Sequence, residues 1–216
     1  MPMDPSTATT TLDAPDVLVL AAHPRLEHSR VNRVLMKKAR GAGVRVAVRD
    51  LYALYPDYLI DVAAEQAALE HARLVVWQHP IQWYSMPPLM KLWVDEVLGF
   101  GWAYGPGGVA LHGKDLWLVA STGGPDESYR PDSYNRYFFD AFLPPYEQTA
   151  ALCGMRFLPP LLLHGAHRID KAGLDAHART YAERLASYPA WPEIAELPEC
   201  VACEVPSIAR PALESA

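Results

Sequence analysis

Three short stretches of this chain carry the residue types that could do chemistry. The first is His23-Pro24-Arg25-Leu26-Glu27-His28-Ser29-Arg30-Val31-Asn32. A serine that opens a helix behind a buried strand offers its hydroxyl and several unpaired backbone N–H groups to an anion, and the helix dipole adds to that attraction. Arg30 and Asn32 are further donors, Val31 lies between them, and His23 could reach the same group. The same residues also read as a plain N-cap, Ser29, beside a loop histidine. The second stretch is Gln78-His79-Pro80-Ile81-Gln82-Trp83-Tyr84-Ser85-Met86-Pro87-Pro88. Prolines fix the backbone and withhold donors, so the amides of Gln82, Trp83 and Tyr84 are expected to point outward and form a wall suited to a planar heteroaromatic ring. Packing is the other reading of Trp83 and Tyr84. The third stretch, Ser121-Thr122-Gly123-Gly124-Pro125, lets backbone approach a ligand closely or simply makes a turn.

Several familiar chemistries have no footing here. G-x-G-x-x-G and G-x-x-x-x-G-K-[ST] are missing from the first loop, which argues against an ordinary dinucleotide fold or a P-loop. The chain has no G-x-S-x-G elbow and no H-E-x-x-H helix. His164 and His167 could hold a metal as a pair, but a pair lacks the further ligands a site needs, so no metal site is assigned. Of three cysteines, Cys200 and Cys203 form a C-x-x-C in a Pro-rich setting without a second ligand pair or a strand and helix around it, and it reads as an incidental pair, with weak metal or redox chemistry as the other reading.

The elements that must position the three stretches follow from periodicity. Apolar runs alternate with helical stretches, which predicts strand–helix–strand units and a parallel α/β sheet. Strands are expected at Val17–Ala22, Val44–Arg49, Leu74–Gln78, Asp115–Ser121 and Met155–Leu163. Helices are expected at Ser29–Arg40, Ala63–Ala72, Pro87–Leu98, part of Ser133–Cys153, and Leu174–Ser187. A doubly wound five-stranded sheet binds ligands outside the carboxyl ends of its strands, and the three stretches follow strands one, three and four.

At 216 residues and 50 % hydrophobic, the chain can bury one full core. A net charge of −6 without long like-charge runs points to no nucleic acid or anionic lipid as partner. Residues 1–15 lack the basic start and apolar run of a secretory signal, and no window approaches the roughly 18–20 apolar residues that span a bilayer. The expected organisation is a disordered lead-in at 1–15, one domain at 16–188 and a Pro-rich tail at 189–216, in a soluble cytoplasmic protein.

Several blocks carry a resemblance to a known family. They are Ala22-His23-Pro24, Leu51-Tyr52-Ala53-Leu54-Tyr55-Pro56-Asp57, and the run from Trp77 to Lys91, followed by Gly101-Trp102-Ala103-Tyr104-Gly105, Ala110-Leu111-His112-Gly113-Lys114 and Thr122-Gly123-Gly124. The chain resembles the flavodoxin-like NAD(P)H:quinone oxidoreductases, and above all the ancillary subunits of glutathione-regulated potassium-efflux systems. The resemblance implies FMN rather than FAD, a homodimer with sites at the subunit interface, and two-electron ping-pong hydride transfer from NADPH or NADH to a quinone. It places His23, Ser29, Arg30, Val31 and Asn32 on the phosphate and ribityl chain. Pro80, Ile81, Gln82, Trp83 and Tyr84 would line the ring on one side, with Ser121, Thr122, Gly123 and Gly124 on the other. Tyr84 is a candidate catalytic residue; Tyr104 and Trp102 would face the partner subunit near the substrate. Where some quinone reductases place a histidine after T-G-G, this chain has Tyr129 nearest that role. The resemblance also implies an alternative: a regulatory subunit docked on a potassium/proton antiporter at the inner membrane face. A one-electron flavodoxin fits the aromatic blocks and modest acidity less well.

Overall fold

The computed structural model describes residues 16–198 apart from Val44. The expected lead-in at 1–15, the Cys200/Cys203 pair with the tail beyond 198, and Val44 at the expected start of the second strand lie outside the described residues.

Among the described residues, five strands form one sheet, all parallel, in the order β2-β1-β3-β4-β5. They are β1 (Val17–Ala21), β2 (Val46–Asp50), β3 (Leu74–Pro80), β4 (Asp115–Ser121) and β5 (Arg156–Leu163). The chain reverses its direction of travel across the sheet between β1 and β3, which leaves a crevice at their carboxyl ends. The central strands are buried on both faces, and their alternating side chains feed two cores. Leu18, Leu20, Val75, Trp77, Leu116 and Leu118 face α3 (Val62–His71), α4 (Pro88–Val97) and α5 (Pro144–Leu152). Val17, Val19, Val76, Trp117 and Val119 face α1 (Arg30–Arg40) and α6 (Lys171–Ser187).

Local chemistry sets the helix ends. Ser29, Asp61 and Asp170 accept hydrogen bonds from the amides of Asn32 (3.0 Å), Ala64 (3.0 Å) and Gly173 (2.7 Å), capping α1, α3 and α6. Pro88 sits in the first turn of α4, where its missing N–H leaves no bond unmade. The helix expected within Ser133–Cys153 begins only at Pro144, because a Pro144-Pro145 pair fits a helix's first turn and not its interior; Phe139–Phe142 before it form a single 3-10 turn. A four-residue helix, α2 (Leu51–Leu54), escapes the sequence reading because it is shorter than the period that would reveal it.

Beneath α2, a wholly buried Glu65 joins four elements. Its carboxylate accepts from Arg49 Nε (2.8 Å), from the Tyr55 hydroxyl and from Trp93 Nε1 (2.9 Å). Packing also continues past Tyr188: Trp191 is buried against Trp117, and Ile194 and Leu197 lie on the same core.

Candidate functional site

The ladder extends past the strand ends and brings the three chemical stretches together. Ala22 N donates to Gln78 O (2.9 Å), Ile81 N to Ser121 O (2.8 Å), and Thr122 N to Leu163 O (2.9 Å). Between them opens a cavity of about 540 Å³. It is lined by His23, Ser29, Arg30, Val31, Asn32, Pro80, Ile81, Gln82, Ser121, Thr122 and Gly123, all anticipated from the sequence. Arg25, His28, Ala166 and His167 complete it. Arg25 and His28 belong to the first stretch and were within reach of sequence reasoning. Ala166 and His167 come from the loop after β5, which carried no signal beyond the histidine pair.

At the phosphate-cradle end, Ser29 Oγ accepts from Asn32 N, while the amides of Arg30 and Val31, at the first two helical positions, have no acceptor within α1. Asn32 is buried at 2 % exposure; its Nδ2 donates to Ser121 Oγ (3.0 Å), and its Oδ1 has no partner among the described residues. A buried amide oxygen left unpaired costs about 1–3 kcal/mol, so it calls for a donor from whatever fills the cavity. Behind it, Gln78 Nε2 donates to the Asn32 carbonyl (3.2 Å) and Tyr181 OH to Gln78 Oε1 (3.0 Å), fixing α1 against β3 and α6. Burial lowers the pKa of His23, which is therefore neutral at pH 7. Its Nδ1 accepts from Arg25 N (3.1 Å), which puts the proton on Nε2 and makes that nitrogen a donor.

The second stretch departs from the expected outward wall. Gln82 N donates to Ser85 O (2.9 Å) and Ser85 N to Gln82 O (3.0 Å), closing a two-residue turn. Trp83 and Tyr84 occupy its corners with φ of 48° and 64°, the geometry of a type I′ turn. The Gln82 amide is thus not free, whereas those of Trp83 and Tyr84 take no part in the turn's bonds. The Trp83 side chain is 93 % exposed. The Tyr84 ring stacks on Phe142 (centroids 5.0 Å apart) and its hydroxyl donates to Asn135 Oδ1 (3.3 Å). Trp83, Tyr84 and Gly124 do not line the cavity.

Beyond Thr122 lies a second cavity, of about 530 Å³, lined by Tyr129, His164, Phe139 and Asp126 among others. Thr122 Oγ1 donates to Gly124 O (2.7 Å) and so accepts from His164 Nδ1 (3.0 Å). Burial raises the pKa of Tyr129, keeping its phenol protonated next to Thr122. His164 and His167 thus line different cavities. Tyr104 lines neither: it packs edge-on against Phe100, and Trp102 lies half-buried on the core.

Comparison with known proteins places this geometry. The model of the family described as having a flavodoxin-like fold matches residues 15–185. The chain belongs to that family. A glutathione-regulated potassium-efflux system ancillary protein, KefF, of Salmonella newport is 48 % identical over 178 residues, 82 % of this chain and 98 % of that protein. Among solved structures, general stress protein 14 of Treponema denticola, in complex with FMN, superposes with a TM-score of 0.74 at 39 % identity, covering 80 % of this chain and 99 % of its own. An NADPH-quinone reductase from P. pentosaceus gives 0.70 at 26 %, covering 78 % and 96 %. A chain from Streptomycin violaceusniger described as a thermophilic tryptophan halogenase gives 0.75 at 41 %, covering 78 % and 97 %. The resemblance read from the sequence is borne out, as is the flavodoxin-like five-stranded parallel sheet.

Proposed function

We propose that the chain is an FMN-dependent NAD(P)H:quinone oxidoreductase acting as a homodimer. The observation that carries this reading is the cavity. It joins an anion-binding helix start to a buried, unpartnered Asn32 Oδ1 and to two backbone loops at the strand ends. A phosphate, a hydroxylated chain and a flat ring need those three environments in that order. The FMN complex and the quinone reductase among the structural relatives support it.

The Ser29 hydroxyl and the first amides of α1 would hold the phosphate, with His23 Nε2–H as a neutral donor. Asn32 Oδ1 would accept from a ribityl hydroxyl. Pro80, Ile81 and Gln82 would flank the ring on one side, and Ser121, Thr122 and Gly123 on the other. Bound FMN supplies reversible two-electron chemistry between NAD(P)H and a quinone. The protein's share is to orient, to exclude water and to present fixed dipoles. The corner amides of Trp83 and Tyr84 and the protonated phenol of Tyr129 are donors suited to negative charge, so no acid–base pair is required. Exposed Trp83, Tyr134, Tyr137 and Phe138 give this end of the molecule an aromatic surface for a second copy. There Tyr84 and Tyr104 would complete the substrate pocket.

A second reading rests on the 48 % identity to a potassium-efflux ancillary protein: a cytoplasmic subunit held at the inner membrane face by an antiporter. No helix among the described residues is long and apolar enough to cross a membrane. Following NADPH oxidation by FMN-loaded protein with and without 1,4-benzoquinone tests the enzyme reading. Quinone-dependent turnover with parallel double-reciprocal lines is expected, and no response to quinone would overturn it. Co-sedimentation with antiporter-containing membranes tests the second.

A further inference from the structure

We propose that Arg30 acts through the loop joining β5 to α6, and that this loop, by way of His167, is a wall of the flavin cavity. The proposal rests on the FMN reading above but departs from the role that sequence reasoning gives Arg30, a direct phosphate contact.

The position of Arg30 is the first anomaly. A cation in the first turn of a helix opposes the macrodipole, and α1 has no acidic residue in that turn to offset it. The guanidinium has another use. Its Nη2 donates to Ile169 O at 2.9 Å and its Nη1 to His167 O at 3.5 Å, so one planar fork spans two carbonyls of the β5–α6 loop. The other end of that loop is held by the T-G-G stretch: Gly165 N donates to Gly124 O (2.8 Å) and Ala166 N to Thr122 O (2.9 Å). The loop therefore bridges two walls of the cavity, pinned to the β4 end by its own amides and to α1 by the Arg30 side chain.

His167 is what this pinning delivers. It lines the cavity together with Ala166, and it lies over Gly123: a side-chain carbon at that glycine would begin 3.3 Å from His167 Nε2. Gly123 is not among the positive-φ glycines, so its backbone does not demand glycine, and an added side-chain carbon would ask the exposed imidazole to give by only a few tenths of an ångström. A polar ring held against a bare stretch of backbone, beside the groups that would hold the phosphate and ribityl chain, is a ligand contact supplied by a third segment.

FMN and riboflavin differ only in the phosphate, and this separates the two roles of Arg30. Affinities for both flavins are measured by fluorescence titration for the wild type and for Arg30→Ala, Arg30→Lys, His167→Ala and the Arg30→Ala/His167→Ala double variant. Backbone hydrogen exchange of residues 165–169 is followed in flavin-free protein. A residue acting through the loop predicts that Arg30→Ala weakens FMN and riboflavin by a similar factor, about tenfold for the loss of two charge-assisted hydrogen bonds. Adding His167→Ala should cost little more, since both act on one contact. Arg30→Lys should not rescue, because its shorter side chain ends in one compact ammonium in place of the planar fork whose two nitrogens each reach a carbonyl. Exchange in 165–169 should accelerate. An Arg30→Ala variant that loses FMN affinity but keeps that for riboflavin, or a lysine that restores FMN, would make Arg30 a phosphate ligand and overturn the proposal. If the wild type takes up neither flavin, the cavity-wall claim falls with the FMN reading, while unchanged exchange in Arg30→Ala would separately refute the clamp.

Discussion

Asn32 is the residue on which flavin binding most depends. It was legible in the sequence only as one more donor behind Ser29, whereas the fold buries it beside the cavity, commits an amide hydrogen to Ser121 and leaves its oxygen without a partner among the described residues. Replacing it with leucine removes the acceptor while keeping an apolar volume of similar size. Asn32→Leu should therefore weaken FMN binding about tenfold to a hundredfold, the value of one buried hydrogen bond and its desolvation. Equilibrium dialysis against FMN checks this, and unchanged affinity would show that the ribityl chain lies elsewhere. His167 was visible only as half of a histidine pair, because the contact that matters is made across the chain, to Gly123 and α1, and no local spacing records it. Tyr104 shows the reverse: a conspicuous motif residue that the single chain holds away from both cavities.

Among the elements, the strands and the long helices were legible because burial on two faces writes continuous apolar runs, and a cap such as Ser29 marks where a helix starts, although α6 begins at Lys171, behind its Asp170 cap, and not at the expected Leu174. What escaped were features fixed by tertiary geometry: four-residue α2, the late start of α5 at Pro144, and the tight turn at Trp83-Tyr84. That turn asks two bulky residues to adopt positive φ, a conformation that Asn and Gly adopt far more readily. Because the Trp83 side chain is almost wholly exposed, Trp83→Asn should stabilise the protein by up to about 1 kcal/mol and raise Tm by roughly 2–4 °C. A calorimetric Tm that stays put or falls would mean that the indole has a packing role that this geometry does not show. The Glu65 network predicts the opposite sign. Glu65→Leu strands the half-buried Arg49 guanidinium and leaves Trp93 Nε1 and the Tyr55 hydroxyl without their acceptor. A loss on the order of 2–4 kcal/mol in urea unfolding is expected, reduced from a fully buried pair because Arg49 retains some water.

The whole molecule adds a pH dependence to its stability. Burial lowers the pKa of His79 to about 4, and it lowers those of His23, His164 and His177 as well, so the folded state favours each of them neutral. Groups whose folded pKa lies below the unfolded value stabilise the fold above about pH 6.5 and lose that contribution as pH falls toward the folded value. For His79 alone the loss between pH 6.5 and about 4 is about 3 kcal/mol. The urea midpoint should fall over this window, less steeply in His79→Gln; equal slopes would remove His79 from the explanation. The central claim, that this fold holds FMN between α1 and the β3 and β4 loops, is tested most directly by purifying the protein, recording its visible spectrum, releasing the cofactor by heat and weighing it by mass spectrometry. A yellow protein that yields FMN at about one per chain is expected, or a colourless one that takes up added FMN to that ratio. A colourless protein that binds no added FMN would contradict it.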